Sequence, residues 1–281
     1  MKLVRYGPVG KERPGLLDAD GALRDLSALI DDLAGDHLSD AGLARLRAVD
    51  AATLPKVPAA PRFGPPVGGH PRVIAIGLNY ADHAAEAGKP VPREPIIFLK
   101  GCRPTGAYDP VRLPKGSIKT DWEVELGLVI GTGGLYIPEA QALDHLAGYT
   151  IVNDLSEREY QLEREGQWTK GKSFPGFAPV GPWLVTRDEV ADPGALGLWL
   201  DVNGERRQTG TTATLVFGVA ALVAYVSRFF ELSPGDIIAT GTPPGVGLGL
   251  TPPEFLKPGD VVTLGIDGLG EQRQDILAWE G

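Results

Sequence analysis

Apolar positions in this chain fall in short, often β-branched runs separated by glycine and proline. That pattern predicts many strands with tight connections, not a helical bundle. Lys2 to Tyr6 reads as a first strand, and Gly15 to Leu23 as a hairpin around the turn at Asp20-Gly21. Polar helical segments follow from about Leu26 to Val49. Residues 55 to 71 are dense in Pro and Gly and read as a linker. A second, strand-rich unit begins at Arg72 to Ile76. Within it Leu126 to Ile130 and Tyr149 to Val152 are apolar, β-branched runs, as buried strands require. Ala-rich residues 81 to 87 predict a short helix. Phe217 to Leu232 predicts an amphipathic helix with Leu222, Val226 and Phe229 turned to the core. The expected organisation is a small α+β domain with its linker over residues 1–66 and a larger domain over 67–281.

Acids interrupt this apolar pattern at two strand ends. Glu123 and Glu125 head the run Thr120-Asp121-Trp122-Glu123-Val124-Glu125-Leu126. Residues two apart on a strand share a face, so the two carboxylates leave side by side. Two like charges that close favour a cation between them. Asp154 ends the second run, Tyr149-Thr150-Ile151-Val152-Asn153-Asp154. Three carboxylates make a half-shell of oxygen ligands with positions left open, which suits Mg²⁺ or Mn²⁺. The competing reading of a bare E-x-E is a solvated acidic edge. The third acid and the apolar flanks favour the metal.

Charge and composition narrow the partners. The chain has 281 residues, a formal net charge of −9 and no long basic run, which argues against nucleic acid. One cysteine, Cys102, allows no intrachain disulfide and fits a reducing compartment. Residues 1–6 lack the apolar stretch of a signal peptide, and no window approaches the ~20 apolar residues of a membrane span. A cytoplasmic protein with a small-molecule partner is expected.

Three further runs carry possible chemistry. In Ala81-Asp82-His83-Ala84-Ala85-Glu86, His83 and Glu86 share a helix face, and a carboxylate-held imidazole is a plausible general base. An isolated H-x-x-E is more often a surface contact. Gly171-Lys172-Ser173-Phe174-Pro175-Gly176 sets one lysine among apolar residues, where it could hold a substrate oxygen or simply extend its head to water. Lys170 lies two residues away. In Thr240-Gly241-Thr242-Pro243, hydroxyls and a backbone N–H could meet a carboxylate. Gly245, Gly247 and Gly249 echo a dinucleotide fingerprint, but Leu250-Thr251-Pro252-Pro253 opens no helix, so nucleotide binding is discarded.

Taken together and in order, these motifs resemble the fumarylacetoacetate hydrolase family over roughly residues 72 to 275. The match rests on Gly77-Leu78-Asn79-Tyr80 with Asp82-His83, Asp121-Trp122-Glu123-Val124-Glu125, Asn153-Asp154, Gly171-Lys172-Ser173-Phe174, Val202-Asn203-Gly204-Glu205 and Thr240-Gly241-Thr242-Pro243. The resemblance implies an α+β fold, a strand-rich mixed sheet rolled around the site, assembled as a homodimer. It implies Mg²⁺ or Mn²⁺ on Glu123, Glu125 and Asp154, a His83–Glu86 dyad on a lid, Lys172 on the substrate, and Gln161 lining the pocket. The leading residues resemble the branch described as 2,4-diketo-3-deoxy sugar-acid (L-rhamnonate type) hydrolase or ureidoglycolate lyase.

The implied reaction is hydrolysis of the C3–C4 bond of a 2,4-dioxo acid such as 2,4-diketo-3-deoxy-L-rhamnonate, giving pyruvate and a carboxylic acid. Isomerase, hydratase, oxaloacetate decarboxylase and ureidoglycolate lyase chemistry are alternatives, as is a non-catalytic binding protein. Pro175 stands where many members have an acid, and Gly176 where Thr is common, so an altered pocket wall near Lys172 is expected.

Overall fold

The computed structural model describes residues 1–58, 61–86 and 88–280. Ala59 and Ala60 of the predicted linker and Ala87 of the predicted helix lie outside the described residues. The strands are β1 (Lys2–Tyr6), β2 (Arg13–Leu17), β3 (Leu23–Asp25), β4 (Val73–Gly77), β5 (Ile96–Lys100), β6 (Val124–Ile130) and β7 (Leu146–Asn153). They continue with β8 (Pro179–Thr186), β9 (Gly197–Val202), β10 (Glu205–Thr211), β11 (Ile237–Ala239), β12 (Val261–Ile266) and β13 (Gly270–Leu277). The main sheet runs β3-β2-β1-β8-β7-β6-β11-β4-β5 and mixes parallel and antiparallel pairs; the second contains β10-β9-β12-β13. This is the strand-rich mixed architecture expected from the sequence. Residues 1–66 give β1–β3 to the main sheet, where Leu3 of β1 pairs with Leu184 of β8.

Every residue of β6 and β7 is buried. Both faces are covered, which is why these strands read as continuous apolar runs instead of alternating ones. Leu126, Leu128, Ile151, Leu200, Leu264 and helix α5 (Val219–Val226) meet in one core. A second core, with Leu3, Leu26, Leu33 and Val129, joins the leading residues to the back of the main sheet.

Two helical expectations need correcting. Over Leu26 to Val49 only a 3-10 turn at Gly35–Leu38 and helix α1 (Asp40–Arg47) form. The preceding stretch stays in turns because Asp31 and Asp32 accept the backbone N–H groups of Asp32 and Leu33 at 3.0 and 2.8 Å, in competition with a helix. The helix predicted to Leu232 ends at Val226. The Ser227 hydroxyl there donates to the Ala224 carbonyl and accepts from the Ile137 N–H. Phe229 consequently lies beyond the helix and is 59% exposed, packed on Tyr225 with ring centroids 5.1 Å apart.

Candidate active site

Antiparallel pairing brings the acids together. In the β6–β7 ladder Glu125 faces Val152, and just beyond it the Asp154 N–H donates to the Glu123 carbonyl at 2.9 Å. The start of one strand thus lies beside the end of the other. Glu123, Glu125 and Asp154 are all buried and offer oxygens within 4.8 Å of one another.

Positive charge rings this triad. Lys172 closes helix α4 (Thr169–Lys172), and its Nζ donates to Glu123 Oε2 at 2.7 Å and Asp154 Oδ2 at 2.8 Å. Lys100, at the inner end of β5, donates to Asp154 Oδ1 and, at 3.1 Å, to the Leu155 carbonyl. Arg158, at the start of helix α3 (Arg158–Leu162), lies 2.7 Å from Glu123 Oε1 and donates to Asp121 at 2.8 Å and Gln161 at 3.0 Å.

These neighbours divide the carboxylates. Burial works against the charge of Glu123, but Lys172 and Arg158 beside it hold its carboxyl well below the usual carboxylate range. Burial raises the Glu125 carboxyl well above that range, and Asp154 and Glu123 raise it further, against Lys172 and the Gly241 N–H. Lys172 is also buried, yet Asp154 and Glu123 keep its pKa above that of an ordinary lysine. A hard divalent cation among three such oxygens would relieve the repulsion that raises Glu125, so the donor set fits Mg²⁺ or Mn²⁺.

Helix α2 (Ala81–Glu86) supplies the other side of the cavity. His83 Nδ1 is 3.0 Å from Glu86 Oε2, and Glu86 Oε1 accepts the Gly245 N–H at 2.9 Å. The loop leading into α2 is pinned by Asn79. Its amide donates to the Phe217 and Thr240 carbonyls, and its oxygen accepts the Phe217 N–H. The glycines that echoed a dinucleotide fingerprint serve this site. Gly245 donates to Glu86, and Gly247 donates to Asp121 at 2.7 Å.

A cavity of about 330 Å³ joins the two halves. Glu123, Glu125, His83, Glu86, Lys172 and Gln161 line it together. Thr242 lines it too, with its hydroxyl donating to the Val124 carbonyl. Thr240 and Gly241 stand outside the lining, and the Gly241 N–H holds Glu125 Oε2 at 2.9 Å. Lys170 is exposed, which separates it from Lys172. Pro175 and Gly176 border a different surface groove, so the expected change of pocket wall does not occur at those positions. Reading the sequence missed Lys100, Arg158 and Asp121. Asp121 lies inside a run already singled out, next to Trp122, and Arg158 stands three residues before Gln161. Lys100 carried no local signal, since β5 meets Asp154 only through the fold.

A buried oxygen-ligand centre beside a His–carboxylate pair, on a strand-rich mixed sheet, describes an enzyme of small-molecule metabolism. The model of the fumarylacetoacetate (FAA) hydrolase C-terminal domain matches residues 72–277, and the chain belongs to this family. A relative from Burkholderia ambifaria, named provisionally as a hydrolase, is 64% identical over 98% of both chains. Among solved structures, 5-carboxymethyl-2-hydroxymuconate delta-isomerase from Mycobacterium smegmatis is 31% identical with a TM-score of 0.79, covering 100% of both chains. Maleylpyruvate hydrolase from Sphingobium sp. SYK-6, solved with manganese(II) and pyruvate, is 28% identical with a TM-score of 0.81 over the same coverage. Among the described residues no helix is long and apolar enough to cross a membrane.

Proposed function

We propose that the chain is a Mg²⁺- or Mn²⁺-dependent hydrolase that cleaves the C3–C4 bond of a 2,4-dioxo acid to pyruvate and a carboxylic acid. The observation that carries this reading is the placement of Glu123, Glu125 and Lys172 in one cavity with the His83–Glu86 pair, with Asp154 completing the acidic triad behind them. The bound cation would supply a Lewis acid for the carboxylate and 2-oxo oxygens.

The protein's own groups divide the remaining work. Glu86 accepts from Nδ1 of His83 and leaves Nε2 as the base. His83 takes a proton from water, and the hydroxide adds to the C4 carbonyl. The C3–C4 bond then breaks with its electron pair left on the pyruvate enolate, and the acyl part departs as a carboxylic acid. The proton held by His83 returns to C3. Lys172 and Arg158 stabilise the developing oxyanion, Gln161 and Thr242 position the substrate, and Gly241 holds Glu125 behind them. In this reading residues 67–281 are the catalytic domain and residues 1–66 a small leading domain that extends its sheet. We also place it in the cytoplasm as a homodimer. Exposed Leu99 on the edge strand β5 and exposed Phe229, which borders the same groove, support pairing of copies there.

Pyruvate release coupled to lactate dehydrogenase tests this directly, with acetylpyruvate, a 2,4-diketo-3-deoxy sugar acid such as the L-rhamnonate derivative, and oxaloacetate, each with Mg²⁺ and with EDTA. The expected result is metal-dependent pyruvate from the diketo acids, lost in His83→Ala. Pyruvate from oxaloacetate alone would make the protein a decarboxylase. No pyruvate from any of them would move the chemistry to isomerisation, hydration or ureidoglycolate cleavage.

A further inference from the structure

Beyond its polar floor the cavity is apolar on both flanks. Phe98 and Trp168 form one wall, with ring centroids 5.4 Å apart at 62°, and Phe98 also lies under Lys172 Nζ at 4.9 Å. Val246 and Leu248 form the other wall, beside Glu86, and Ile76, Leu78 and Leu162 add to the lining, which also includes the charged Lys89. The Trp168 ring occupies space that only a glycine leaves open. A Cβ on Gly77 would stand 2.3 Å from Trp168 Cζ3.

The Thr242 hydroxyl, the Arg158 guanidinium and the Gln161 carbonyl oxygen, all near these walls, are already engaged. Thr242 bonds Val124 and Gln208, Gln161 accepts from Arg158, and Arg158 is held by Asp121. A hydroxyl-bearing tail would lose its hydrogen bonds to water and find few replacements. The cavity, at about 330 Å³, is at the small end of the roughly 300–1,000 Å³ common for ligand clefts. It has room for the dioxo acid head and one compact group.

Resting on the hydrolase reading above, we propose that the substrate is a 2,4-dioxo acid with an apolar acyl group, best an aryl one, and that Trp168 is the residue that selects it. A polyhydroxylated sugar-acid tail is disfavoured by the same walls. Trp168 takes no part in the chemistry; it contacts the tail alone.

The experiment compares kcat/KM for benzoylpyruvate, acetylpyruvate, a 2,4-diketo-3-deoxy sugar acid and a dioxo acid whose tail ends in a carboxylate, all with Mg²⁺. Because a hydrophobic pocket discriminates a single methylene by roughly 10–200-fold, benzoylpyruvate is expected to lead the others by at least about tenfold. In Trp168→Ala the benzoyl-to-acetyl ratio should fall by about tenfold or more, and Trp168→Phe should restore part of it. Preference for the hydroxylated tail, or for a carboxylate tail reaching Lys89 at the cavity lining, would overturn the proposal while leaving the hydrolase reading intact. If none is cleaved, the hydrolase reading fails, and calorimetric binding of benzoylpyruvate against acetylpyruvate decides the tail. Equal affinities would then overturn it, as would unchanged ratios in Trp168→Phe should the alanine variant not fold.

Discussion

Lys100 and Asp154 are both fully buried and pair with each other. Lys100→Met would leave Asp154 with Lys172 as its main partner. Leaving a buried charge unpaired costs about 3–5 kcal/mol; with Lys172 still on Asp154, a smaller drop is expected in urea unfolding without metal. Glu125 has a different signature. Its carboxyl is raised by burial and by Asp154 and Glu123, so it holds a proton to higher pH than a free glutamate. A cation must displace that proton. Metal affinity should therefore rise with pH from acid toward neutral, with protons released on binding. Calorimetry in buffers of different ionisation enthalpy reads both, and a flat affinity would refute the assignment. In Glu125→Gln the rise should vanish along with most of the binding. The acids themselves were legible as strand-end residues in apolar runs. Lys100 was not, because a lysine on an edge strand looks like an ordinary surface residue until the sheet order is known.

At the scale of elements, short connections position the chemistry. The turn after β4 carries Leu78 at a φ of 53°, a left-handed conformation rare outside glycine. Asn79 anchors that turn to the loop after β11 and to Phe217. Gly77→Ala would drive a methyl group into the Trp168 ring. Overpacking of this kind costs about 1–3 kcal/mol, visible as a lower Tm, and kcat/KM for an aryl substrate should fall with it. The strands were readable because β6 and β7 are buried throughout and, apart from Glu125, Thr150 and Asn153, apolar. The helices were less so. Side-chain hydrogen bonds from Asp31, Asp32 and Ser227 to nearby backbone stop helices that hydrophobic spacing alone would extend.

In the whole molecule, β1 covers the edge of β8, and the second core packs against the back of the sheet that holds the site. Removing residues 1–66 would uncover that edge together with the partners of Leu3, Leu26 and Leu33. The truncated chain is expected to self-associate, which light scattering would show, and a monodisperse, active 67–281 fragment would refute this. Chelation should act differently. The cores are apolar and independent of the triad, so EDTA should abolish turnover and leave far-ultraviolet circular dichroism unchanged.

The ladder between β6 and β7 has one more consequence. Sliding one strand by two residues would keep every side chain on its own face, so hydrophobicity cannot tell the two alignments apart. Such a slide would carry Asp154 about 7 Å from Glu123. What pins β7 is Gly148, where its ladder with β6 shifts and where any Cβ would lie 2.0 Å from the Val185 carbonyl oxygen of neighbouring β8, so sliding β7 by two residues would press Leu146 or Thr150 onto that oxygen. A residue with no side chain, far along the strand from the carboxylates, thus acts as the molecule's proofreader: only a correctly threaded chain can assemble a functional centre.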